Sequence, residues 1–309
     1  LMKKVLLIGV PITLSNSAMS IITLIDSKIV LGRLEAISSA LTETPTALYG
    51  QYTFGMDLIN LPPSFVYPVT MSLIPFAAAA MARKDNAEAS RIISSAFRLI
   101  AILAIPAGVG LSVLSGPILR MLYPAQAEAA AAAGPHLQVL GIACIFICLM
   151  TLTNAILQSY GHERIPICTM VAGGVVKIVM NYVLVGNPAI NIHGAPISTL
   201  CCYLVISGLN LFFVWKYSPE KPRYLQLFTK PVVASVVMGA MAWAGYGLTL
   251  RVLNGGEYAY GASAVSTLVG IGAGVVVYFI LVIALRILRA EDLRSIPKGA
   301  KIASILHLK

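Results

Sequence analysis

Apolar residues fill this chain in runs much longer than the alternating faces of a water-soluble helix would produce. Crossing a bilayer takes about 20 predominantly apolar residues. Eight stretches meet that length, roughly 5–31, 48–81, 92–115, 136–157, 166–186, 195–215, 231–253 and 263–285. Polar punctuation divides them: "ARKDNAEASR" (82–91), "QSYGHERIP" (158–166) and "KYSPEKPRY" (216–224) carry the charges, prolines and glycines of connecting loops. The second run contains Pro62, Pro63, Pro68 and Pro75, which predicts a kink or a non-helical stretch inside it. The first run exceeds the 7–15 apolar residues of a signal peptide and lacks a small-residue cleavage pattern, so it reads as a span. "AEAAAAAG" (127–134) predicts a short surface helix.

Composition agrees. Of 309 residues 58% are hydrophobic and 11% charged, with mean hydropathy +0.85; a soluble domain carries about 25% charged residues. The expected class is an all-α integral membrane protein of about eight transmembrane helices. The net charge of +10 does not point to nucleic acid, because the cations sit in short loops rather than on a basic, aromatic-laced face. With the amino terminus on the cytoplasmic side, sixteen Lys and Arg fall in cytoplasmic segments and only Arg33, Arg120 and Arg251 on the other side. That bias puts both termini in the cytoplasm. The basic tail from Arg286 onward reads as an amphipathic segment that anionic lipid would hold at the surface. Cys144, Cys148, Cys168, Cys201 and Cys202 all lie in apolar runs and read as packing residues, not as disulfides or metal ligands.

A charge at bilayer mid-depth costs at least about 2.5–3.5 kcal/mol and needs a partner or water. Lys177 lies eleven residues past Pro166, about 16 Å into its span. Two readings stay open for it: a cation lining a hydrophilic cavity, or a structural ion pair for which Asp57, also about 14 Å deep, is the partner by depth. Asp57 is then either that partner or a coupling site for a cation or proton. Asn181, one turn beyond Lys177, extends the same face into a polar stripe. Asp26 and Lys28 sit near the outer end of the first span, within reach of water and on different faces. Arg98 is shallow enough to snorkel to the cytoplasmic surface. His136, His162 and His193 fall at span edges and His307 in the tail, where histidines are ordinarily solvated. Twelve scattered acids and the lack of HExxH, GxSxG, P-loop or CxxC motifs argue against an enzyme, a metal site or a cofactor. Mid-depth charges and broken spans favour transport by alternating access.

Four segments in order, "PITLSNSAMSIITLIDSKIVLGRL" (11–34), "LYGQYTFGMDLINLPPSFVYPVTMSLIPFAAAAMAR" (48–83), "ILQSYGHERIPICTMVAGGVVKIVMNYVLV" (156–185) and "INIHGAPISTLCCYLV" (190–205), resemble the polysaccharide-transport branch of the MOP (multidrug/oligosaccharidyl-lipid/polysaccharide) flippase superfamily. The likeness is greatest to its stage V sporulation protein B-like lipid II flippases. It implies some fourteen spans in two lobes around a cavity that opens alternately to either side. This chain would then be the second lobe, residues 1–215, followed by two additional helices and a basic tail, 216–309. A first lobe would precede Leu1. The implied substrate is a polyprenyl-pyrophosphate-linked saccharide such as lipid II, moved across the bacterial cytoplasmic membrane with membrane lipids around it and a cation or proton for coupling. Under the resemblance, Lys177, Asn181, Asp57, Asp26, Lys28 and Arg98 are the candidate cavity residues. A multidrug or cation antiporter of the same superfamily and a non-enzymatic partner subunit remain as alternatives, and oligomeric state is open.

Overall fold

The computed structural model describes residue 20 and residues 23–218, 220–254 and 260–287. Most of the expected first span, the two amino-terminal lysines and the tail beyond residue 287 with His307 lie outside the described residues. Every regular element among the described residues is helical. α1 covers 23–36. It is followed by α2 (Pro45–Ile59), α3 (Leu61–Ala82), α4 (Asn86–Val113), α5 (Ser115–Leu122) and α6 (Ala127–Ala132). Then come α7 (Gly134–Ser159), α8 (Arg164–Leu184), α9 (Gly194–Tyr217), α10 (Tyr224–Asn254) and α11 (Tyr260–Ala284). Seven segments among the described residues are long and apolar enough to cross a membrane, with α2 and α3 together making one of them. They coincide with expected spans two to eight. This is a multi-pass membrane protein.

The proline-rich second span breaks at a single residue. Asn60 ends α2 and begins α3 without leaving right-handed helical backbone. The break comes just ahead of Pro62 and Pro63, which fall in the first turn of α3, where a missing N–H leaves nothing unsatisfied. Pro68 and Pro75 are carried inside the helix. α4 starts six residues before its apolar run because the Asp85 side chain accepts the Glu88 backbone N–H (3.0 Å) and caps it. The alanine-rich stretch is helical over Ala127–Ala132, although Ala130 is buried.

α7 forms the centre, packed against α2, α3, α4 and α9. In a membrane no hydrophobic drive pushes helices together, so small residues must bring backbones into contact. Gly108 of α4 and Gly141 of α7 do so: a Cβ at Gly141 would stand 2.7 Å from the Ser112 nitrogen, and one at Gly108 2.6 Å from the Gly141 oxygen. Gly173 of α8 likewise meets Ile206 of α9. α10 and α11 pair with each other and lean on α4 and α5. Tyr278 of α11 donates its hydroxyl to the Ile102 carbonyl of α4 (2.9 Å).

Candidate functional site

The buried face of α1 is set by Asp26, Val30 and Leu34, spaced four apart, all under 5% exposed. That spacing turns Asp26 into the bundle, against α8 and α9. Lys177 of α8, 6% exposed, places its Nζ 2.8 Å from Asp26 Oδ2. The Asn181 amide donates to Asp26 Oδ1, and the Ser198 hydroxyl of α9 donates to Asn181 Oδ1. Tyr52 of α2 and Thr199 of α9 share a hydrogen bond nearby (2.9 Å). The network joins α1, α8 and α9 and leaves neither charge uncompensated. Seven residues beyond Asp26, Arg33 lays its guanidinium over the Tyr182 ring of α8, 4.2 Å from the centroid. α1 is therefore fastened to α8 at two levels.

The partner of Lys177 is thus Asp26, not Asp57. Depth inferred from hydropathy misled because α1 runs to residue 36, five residues past its apolar run. Those residues add about 7 Å and carry Asp26 to about 15 Å below the helix end. Asp57 is exposed on α2, turned away from the buried Leu48, Tyr52, Gly55 and Ile59. Lys28 is exposed on the face of α1 opposite Asp26. Arg98 is half-buried in α4 and lines a recess at the end of the bundle where α10 begins and α11 ends. Of the six candidates the fold unites three: Lys177, Asn181 and Asp26.

Three polar groupings were not anticipated. Thr53, Asp57, Asn60 and Ser64 follow one another at i, i+4, i+7 and i+11 across the α2–α3 junction, with the last three exposed. Their helical spacing is present in the sequence on either side of the Pro62–Pro63 pair. His136 at the start of α7 is 1% exposed, and its Nε2 lies 3.1 Å from Nδ1 of His193. The expectation that edge histidines are solvated fails there, because the turn before α9 folds over the start of α7. Finally, the Thr169 hydroxyl of α8 donates to Asn210 of α9 (2.7 Å), whose amide donates to Asn154 of α7 (2.7 Å). Three helices are joined by that chain of bonds. Cys144, Cys148 and Cys202 are buried, while Cys168 is exposed, and all five thiols are free.

Alongside these groups runs an apolar groove of about 750 Å³ bounded by α3, α4, α10 and α11. Leu99, Ile102 and Pro106 of α4 face Met238 of α10 and Tyr278 and Val282 of α11 across it. Among the described residues no group of three metal-ligating side chains is assembled.

Both the sequence and the helical fold find matches among known proteins. A family model described as lipid II flippase MurJ matches residues 4–289. The chain belongs to the MurJ lipid II flippase family. Its relatives in Bacillus subtilis (strain 168) include the membrane protein YabM, 27% identical over 308 residues, covering 99% of this chain and 56% of YabM. Stage V sporulation protein B of the same organism is 24% identical over 275 residues, covering 87% of this chain and 49% of that protein. The chain spans about half the length of these curated relatives. Among solved structures, MATE in the bent conformation superimposes with a TM-score of 0.57 at 16% identity, over 99% of this chain and 70% of that one. The fold is the one seen in these MATE structures.

Proposed function

We propose that this chain is the second lobe and the two following helices of a flippase that carries a polyprenyl-pyrophosphate-linked saccharide across the bacterial cytoplasmic membrane. Membership in the MurJ family supports the class of reaction. The observation that carries the reading for this chain is the exposed polar row Asp57, Asn60 and Ser64. A carboxylate at bilayer depth is costly against hydrocarbon, so in this reading that side of α2 and α3 borders water. In this reading it is a wall of the transport cavity, completed by a facing lobe that brings groups for the pyrophosphate. Asp57 is the carboxylate on that wall open to a coupling cation or proton. The Asp26–Lys177 pair lies behind the wall and holds α1 against α8 while the lobe moves as a unit.

The apolar groove beside α10 and α11 suits the polyprenyl chain, which must stay in an apolar setting while its head group crosses. We accordingly divide the chain at residue 215, with α10 and α11 as an accessory pair applied to a six-helix lobe. Both termini lie in the cytoplasm on this reading, following the bias of Lys and Arg. The test is reconstitution of the complete protein into liposomes with a fluorescent polyprenyl-pyrophosphate saccharide, scoring the fraction of label protected from a membrane-impermeant quencher. Transfer that the protein accelerates supports the proposal. No acceleration, together with export of cationic drugs from the same vesicles, would move the chain to the antiporter reading.

A further inference from the structure

The end of the bundle where α4 and α10 begin and α11 finishes contains a recess of about 850 Å³. Among the described residues Arg98, Lys221, Arg223, Lys230 and Arg286 line it, with Glu220 as the single acid. A general positive-inside bias scatters cations over loops, and others at this end behave that way. Arg83 pairs with Glu88 at 2.9 Å on the surface, and Lys84 and Arg91 are exposed away from the recess. The five are different in sharing one concavity.

Several are also held in position. Lys221 sits over the Trp215 ring, 4.0 Å from its centroid, and the Lys230 ammonium donates to the Leu285 carbonyl (3.0 Å). Arg286 has φ +50, the left-handed backbone that glycine prefers. The Arg286 and Ile287 amides close back onto the Ile283 and Val282 carbonyls (3.1 and 3.0 Å), the usual glycine-terminated end of a helix. An arginine thus occupies a glycine's position and delivers a cation to the rim. The Ser90 and Ser94 side chains and Thr229 add neutral hydrogen-bonding groups to the lining.

The apolar groove begins one turn deeper on the same helices: Leu99 follows Arg98, and Val282 and Ile283 precede Arg286. Cations at the membrane surface above an apolar trough match an amphiphile with an anionic head. We propose that the recess binds the phosphate of an anionic membrane phospholipid. The recess is separate from the polar row on α2 and α3, but the trough beneath it is the groove assigned above to the polyprenyl chain, so the phospholipid and the substrate compete for that trough.

The test is thermal denaturation of the purified protein in neutral detergent, titrated with dioctanoyl phosphatidylglycerol, dioctanoyl phosphatidylcholine or sodium pyrophosphate. Phosphatidylglycerol is expected to raise Tm saturably and phosphatidylcholine is not. In the triple variant Arg223→Gln/Lys230→Gln/Arg286→Gln the apparent affinity should fall about tenfold or more. Lys84→Gln/Arg91→Gln should leave it unchanged. Arg286→Gly gives a readout that misfolding cannot imitate: ligand-free Tm should rise by about 2 °C as the backbone strain is relieved, while the response to phosphatidylglycerol shrinks. Equal stabilisation by both lipids, or equal losses in the two multiple variants, would overturn the proposal. Pyrophosphate matching phosphatidylglycerol at the same concentration would overturn the lipid as the source and point to a soluble phosphate.

Discussion

Lys177 is tolerated at its depth because Asp26 meets it there, with Asn181 donating to the same carboxylate, and each charge of the pair is costly without the other. Removing the ammonium alone strands a buried carboxylate, a change that destabilises by about 3–5 kcal/mol, whereas replacing both charges is often neutral. Lys177→Met should therefore lower the thermal stability of the detergent-purified protein sharply. Adding Asp26→Asn should restore most of it, and adding Asp57→Asn should restore none. Rescue by the second combination would mean that the pairing described here is wrong. The sequence exposed Lys177 and Asn181 as one stripe, since both lie on α8 and helical spacing alone relates them. It could not give the partner, because the hydropathy edge at Leu31 falls five residues short of the end of α1, where Arg33 lies over the Tyr182 ring. Contacts between helices far apart in sequence leave no such local trace, and the His136–His193 pair was missed for the same reason.

At the level of elements, the helices were legible because twenty-residue apolar runs have few alternatives in a bilayer. Their packing was less so. Which glycines serve as contact points depends on the rotation of each helix, and 25 glycines offer many candidates. The structure distinguishes them. Gly141→Ala forces a Cβ against backbone of α4 that no rotamer change can relieve, and should cost about 1–3 kcal/mol. Gly272→Ala meets nothing within 4 Å and should be neutral or slightly stabilising in the same melt. Equal effects would show that α4 and α7 do not meet along this seam. The prolines illustrate the same limit: four of them predicted disruption, yet the only break in that span is at Asn60, and Pro68 and Pro75 stay within α3.

Across the whole molecule, polar and apolar outer faces assign different neighbours. The outer side of α8 presents Val171, Val175, Val179 and Val183, a surface suited to lipid or to another apolar helix. On α2 the exposed Asp57 carboxylate calls for water or a partner, while Asn60 and Ser64 beside it donate to the Met56 and Leu61 carbonyls. Asp57→Asn should leave the melting temperature within about 1 °C of the parent, because the carboxylate is exposed, yet lower the rate of lipid transfer in liposomes. An unchanged rate would remove Asp57 from the transport path. Thiol accessibility separates inside from outside in the same way. A small maleimide should modify Cys168 before the buried Cys144, Cys148 and Cys202, as peptide mass analysis of the labelled protein would reveal.

The joined charges of Asp26 and Lys177 also govern how the membrane voltage acts on this lobe. A single elementary charge carried across 100 mV gains or loses about 2.3 kcal/mol. An anion and a cation 2.8 Å apart that travel together present no net charge to that field. Any rocking of α1 with α8 that keeps the pair intact is therefore electrically silent. Voltage would begin to work on these helices only in a step that drew the two groups apart, and it would show as a gating current lost in the doubly neutral variant.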